Sequence, residues 1–147
     1  MAGWYCGAEF LALQSTHRMP PKNHGVILFA HGSRDPLWRA PIEAVRQHIA
    51  THTPQVLVCC AYLELCEPNL LQAAQQLLDC GAGAITIAPM FLGTGKHARE
   101  DLPQLIATLR AQHPGVAFTV QAAIGEDPRM TALMAEIACT PPLPVCP

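Results

Sequence analysis

Charge is scarce in this chain of 147 residues. Asp, Glu, Lys and Arg make up 14% of it, and 11 acidic against 9 basic side chains leave a formal net charge of −2. The clustered basic excess that holds nucleic acid is therefore absent. Apolar runs are short: none approaches the roughly 20 residues needed to span a bilayer as a helix, so no membrane association is expected. Among seven cysteines there is no Cys-x-x-Cys pair, which removes the usual zinc and dithiol patterns.

Hydrophobic residues, by contrast, form half of the sequence, and a single domain of this length buries about 68–70% of the surface its unfolded chain exposes. Neither a disulfide nor a metal is needed to hold it together. Cys59, Cys60 and Cys66 lie among apolar neighbours and read as buried free thiols, the first two pointing to opposite faces of a strand. An odd count of such thiols fits a reducing cytoplasm. Residues 1–24, MAGWYCGAEFLALQSTHRMPPKNH, lack the basic start and the longer apolar core of a secretory signal and read as a loosely ordered extension, within which Met19 is a second candidate start. Residues 139–147 form a proline-rich tail unable to continue a helix or a central strand.

The alternation between these ends sets the fold. Near-continuous apolar runs at 25–30, 56–63, 84–90 and 116–122 read as strands covered on both faces. Helical stripes follow each of them: Trp38, Ile42, Val45 and Ile49; Leu70, Ala74 and Leu77; Leu102, Leu105, Ile106 and Leu109, with Asp101 as a candidate cap; and Met130, Leu133, Met134 and Ile137. All four stripes read as helices packed on the sheet. The pattern βαβαβαβα over residues 25–138 predicts an α/β domain, a four-stranded parallel sheet with right-handed crossovers and helices on both faces, flavodoxin-like in outline.

In such sheets ligands bind beyond the carboxyl ends of the strands. His31 and Ser33 follow the first strand, Glu64 and Glu67 the second, and Lys96, His97 and Arg99 the third. His31, Glu64 and His97 are spaced 33 residues apart, about one βα unit each, so all three belong to one rim. Two imidazoles and a carboxylate suit a divalent first-row metal with coordination positions left open, unlike a closed structural zinc site. Unrelated surface histidines and a salt bridge from Glu64 are the competing reading.

Other motifs are weaker. Gly93-Thr94-Gly95-Lys96 lacks the glycine spacing of a phosphate loop, and His97 stands where Ser or Thr should follow the lysine. No Gly-x-Ser-x-Gly elbow accompanies the His31-Gly32 pair, which argues against serine hydrolysis. His48 and His52, four apart near the end of a helix, are able to bind metal but are also favoured there by the helix dipole.

Taken together, HGSRDP at 31–36, YLELCEPNL at 62–70, IAPMFLGTGKHAREDLP at 87–103 and GEDPRM at 125–130 resemble the short class II metal chelatases of tetrapyrrole synthesis, the sirohydrochlorin cobaltochelatases and ferrochelatases. The resemblance runs from about Gly25 to Ala138 and implies a chelatase-like half domain that works as a homodimer. It implies an ATP-independent lyase that inserts Co²⁺ or Fe²⁺, with Ni²⁺ as a further candidate, into sirohydrochlorin toward cobalamin or siroheme. The metal is then a substrate, and no tightly bound cofactor is expected. By position, His31 and His97 correspond to the family's metal-binding histidines and Glu64 to its acidic partner. Tyr62 and Lys96 depart from the usual residues at their positions.

The chemistry suits these side chains. Insertion requires the cation to shed water, the macrocycle to bend and two pyrrolic protons to leave. Neutral imidazoles hold the metal loosely while Glu64 supplies charge or accepts a proton. Sirohydrochlorin carries peripheral carboxylates, for which Ser33, Arg34, Lys96 and Arg99 are the candidate contacts. A non-catalytic metal or tetrapyrrole carrier, and a phosphoryl-transfer enzyme with His31 as nucleophile, stand as alternatives from other classes.

Overall fold

A computed structural model describes residues 23–141. The expectations for the extension before residue 23 and for the tail beyond 141 lie outside these residues. The parallel sheet comprises β1 (His24–Ala30), β2 (Val56–Tyr62), β3 (Ala84–Pro89) and β4 (Ala117–Val120), ordered β2-β1-β3-β4. His24, expected in the extension, is the first residue of β1, and its Nε2 meets the Thr86 hydroxyl at 3.1 Å. Helices α1 (Ala40–His52), α2 (Leu70–Asp79), α3 (Lys96–Gln112) and α4 (Pro128–Cys139) follow the strands in turn.

Alternating side chains of β1 divide the core into two layers. Ile27 and Phe29 pack with Ile85, Ile87, Leu70, Leu77 and Leu109 beneath α2 and α3. Leu28 and Ala30 pack with Cys60, Tyr62 and Ile42 beneath α1. Cys59 joins the first layer and Cys60 the second, as their adjacency in a strand requires. Of the three expected buried thiols, Cys60 is buried, whereas Cys59 and Cys66 are half-buried.

Several expectations need correction. Coverage on both faces holds for the end of β1 but not for the edge strand β4, which buries Phe118 and exposes its neighbours, because α1 lies over the β2 side of its face. The fourth stripe does not pack on the sheet: no residue of α4 is buried, and Leu133 and Ile137 are 49% and 63% exposed. The contacts of α4 run to the short 3₁₀ turn Ile124–Glu126. In the first stripe, Trp38 belongs to a separate 3₁₀ turn, Pro36–Arg39, capped by Asp35.

Local signals explain the helix starts. Asn69 and Gln72 form a reciprocal capping box at α2, and Asp127 caps α4 through the Arg129 N–H. The start of α3 is different. Asp101 does not cap it, since the helix begins five residues earlier, behind the extended Gly95. Asp101 is thereby carried into the helix body.

Candidate functional site

The strand order reverses direction between β1 and β3: the chain leaves β1 for β2 on one side and returns to β3 on the other. A crevice at such a switch point is the expected ligand position in an open α/β sheet. His31 and Gly32 leave β1 at this point. The ladder between β1 and β2 continues past both strand ends, with the Leu63 N–H donating to the Ala30 carbonyl and the Glu64 N–H to the His31 carbonyl, each at 2.9 Å. His31 and Glu64 are thus locked side by side by backbone.

Gly32 makes this junction possible. Its φ of +98° lies in the left-handed region, and a Cβ there would overlap the Glu64 carbonyl oxygen. No other residue type fits both conditions. Behind the histidine, the buried Phe91 ring stacks against the imidazole with centroids 4.3 Å apart and planes inclined by 34°. Phe91 is held in turn by an edge contact with Phe29 at 5.9 Å.

His31, Leu63, Glu64, Gly95 and Asp101 line one cavity of about 260 Å³. Asp101 was legible as a helix residue but not as a site residue. The available signal was its spacing of four from position 97, which puts both on one face of α3. His97 stands in the first turn of α3, at the same end of the sheet. Among the described residues, no group of three His, Cys, Asp or Glu side chains converges as a ready metal cage.

The expected substrate contacts divide. The Ser33 hydroxyl accepts from the Asp35 N–H at 3.1 Å, ordering the loop after β1, and Arg34 is exposed beside it. Lys96 approaches Glu100 at 3.9 Å across an exposed helix turn, a pair of small energetic weight. Arg99 is not in the His31 cavity. It lines a neighbouring groove of about 430 Å³ between α3 and β4, with an apolar floor that includes Phe91, Leu102, Ile106 and Val120, and with Arg110 and Glu126 at its margins. Phe91 is the partition: one side meets His31 and the other faces the groove.

Electrostatic perturbation near β2 lies away from this rim. Burial pushes the Cys59 and Cys60 thiols up to about 12. Burial raises Glu43 too, but the hydrogen bond and charge of Arg46, at 2.7 Å, outweigh it and hold Glu43 below its usual value. Tyr62 donates to Glu43 at 3.3 Å, and burial moves its phenol upward. Tyr62, which departs from the resembled pattern, is therefore a core residue with a satisfied hydroxyl.

The CbiX family model matches residues 25–140. The chain belongs to the CbiX family. A putative cobalamin (vitamin B12) biosynthesis CbiX protein from Marinobacter aquaeolei superposes with a TM-score of 0.69 at 32% identity, covering 78% of this chain and 91% of that one. The sirohydrochlorin chelatase SirB from Bacillus subtilis subspecies spizizenii, in complex with cobalt, superposes with a TM-score of 0.65 at 25% identity, over 79% of this chain and 51% of its own. In sequence, the chain is 31% identical to a sirohydrochlorin cobaltochelatase of Methanopyrus kandleri over 55% of its length. It is 29% identical to a chloroplastic sirohydrochlorin ferrochelatase of Arabidopsis thaliana over 69%. It spans 57% and 45% of these two relatives. A cobaltochelatase of Sulfolobus acidocaldarius is matched over 89% of its length at 27% identity. The four-stranded parallel sheet is the CbiX and SirB architecture. Among the described residues, no helix is long and apolar enough to cross a membrane.

Proposed function

We propose that this CbiX-family chain is a metal chelatase that inserts Co²⁺ or Fe²⁺ into sirohydrochlorin, with Ni²⁺ as a further acceptable ion. The observation that carries the reading is the backbone-locked pairing of His31 and Glu64 at the switch point, where they share a cavity with α3. The relatives' metals, cobalt and iron, suit such imidazole and carboxylate donors.

In this reading His31 and His97 hold the incoming ion, and Glu64 offsets its charge. A partial donor set releases the metal to the macrocycle, where a closed cage would retain it. Two pyrrolic protons must leave, and the cavity offers two carboxylates, Glu64 and Asp101, as acceptors. The macrocycle lies against Phe91 and the apolar groove. Its peripheral carboxylates meet Arg99 there, and Ser33, Arg34 and Lys96 over the metal side. None of these steps uses ATP.

The active form is a homodimer in a reducing cytoplasm. One rim supplies only part of the wall a macrocycle needs, and the exposed Leu133 and Ile137 of α4 offer apolar surface for a second copy. An active species of 15.8 kDa by light scattering at assay concentration contradicts the dimer. The activity is tested by anaerobic incubation of the purified chain with sirohydrochlorin and each metal, following absorption against the spontaneous rate. Acceleration is expected. Tetrapyrrole binding without turnover turns the reading into that of a carrier, and a phosphorylated His31 into that of a phosphoryl-transfer enzyme.

A further inference from the structure

We infer that His48 and His52 form a second, surface metal site on α1, which takes one late divalent first-row cation through two imidazole nitrogens. Both side chains are exposed and four residues apart, which puts them on one helix face with Cβ atoms about 5–6 Å apart. Their rings stack with centroids 4.0 Å apart and planes inclined by only 21°. His52 Nδ1 lies 2.9 Å from the His48 carbonyl oxygen. A carbonyl oxygen only accepts, so Nδ1 carries the proton, and Nε2 of the neutral ring keeps its lone pair for a ligand. This is the outer support that metal-binding histidines commonly have.

Two nitrogens bound to one ion at about 2.0–2.1 Å sit roughly 3 Å apart. Stacked rings with centroids 4.0 Å apart aim their in-plane lone pairs side by side, so the two exposed rings open from the stack by rotation about χ1 and χ2 to converge on the ion. Water fills the remaining positions, because among the described residues no third His, Cys, Asp or Glu joins the pair. With imidazole donors, affinity should rank Cu²⁺ above Ni²⁺ and Ni²⁺ above Co²⁺. His52 ends α1 just before β2 begins, whereas His31 follows the far end of β1, so this site lies at the opposite end of the parallel strands and does not depend on the proposed chelatase activity.

The test is a calorimetric titration of the full chain with Ni²⁺, repeated while following the histidine ring resonances. His48→Gln, His52→Gln, the double variant and His31→Ala are compared. Each single substitution at 48 or 52 should weaken this binding event by about tenfold or more, the scale on which even outer-shell losses act. The double variant should lose little more than either single one, since one ion needs both rings. His31→Ala should leave the event intact. Ni²⁺ binding unchanged in either single variant, or resonances of His48 and His52 that do not respond to Ni²⁺, overturns the site.

Discussion

The His31 imidazole rests on the Phe91 ring, 4.3 Å between centroids, so the orientation of a proposed metal ligand is set by a core side chain of the third βα unit. Phe91→Leu keeps the site apolar but removes the flat support. A stability loss of about 1–2 kcal/mol is expected, together with a fall in kcat of about 10- to 100-fold from misplacement of His31. Steady-state insertion kinetics and urea unfolding read the two effects. A variant with parental kcat shows that His31 orients itself.

Gly32→Ala forces a side chain onto the Glu64 carbonyl at a φ of +98°. Backbone strain alone costs about 1–3 kcal/mol, and relief requires His31 and Glu64 to separate. The variant should lose that much stability in urea and lose insertion out of proportion to its folded fraction. Parental stability contradicts the close approach.

The order of elements and the rim of the sheet were legible because buried parallel strands and amphipathic helices write their periods into the sequence. His31 and Glu64 were locatable as strand-end residues, and the structure pairs them. Phe91 was not legible as their partner, since one aromatic in an apolar run gives no sign of what it touches after folding. Asp101 reads as a cap from sequence because Asp commonly opens helices; the extended Gly95 opens α3 instead. The exposed stripe of α4 shows the limit of periodicity, which reports that a face is apolar but not what covers it.

Arg99→Ala should raise KM for sirohydrochlorin with kcat little changed, because Arg99 lines the groove beyond Phe91 rather than the cavity of His31. Its proposed contact is with a carboxylate unaltered by insertion, and such uniform binding appears in KM. A large fall in kcat at constant KM moves Arg99 to the reacting centre.

Burial raises the Cys59 and Cys60 thiols from an ordinary value of 9.0 to about 12, which keeps both protonated in the native chain. Brief alkylation at pH 8 with peptide mapping should therefore label the exposed Cys80 and Cys139 and spare these two. Unfolding restores the ordinary range, so their contribution to stability is full below about pH 9 and is lost as pH rises toward 12. Rapid labelling of Cys60 in the native protein contradicts the burial.

The central claim is that His31 and His97 carry the metal to the macrocycle. It is tested most directly by the anaerobic insertion rate of the His31→Ala, His97→Ala double variant, with circular dichroism checking its fold and absorption its sirohydrochlorin binding. The account predicts a folded protein that still binds the tetrapyrrole through its carboxylate contacts and inserts Co²⁺ no faster than the spontaneous reaction. A folded double variant that inserts metal well above the spontaneous rate contradicts it.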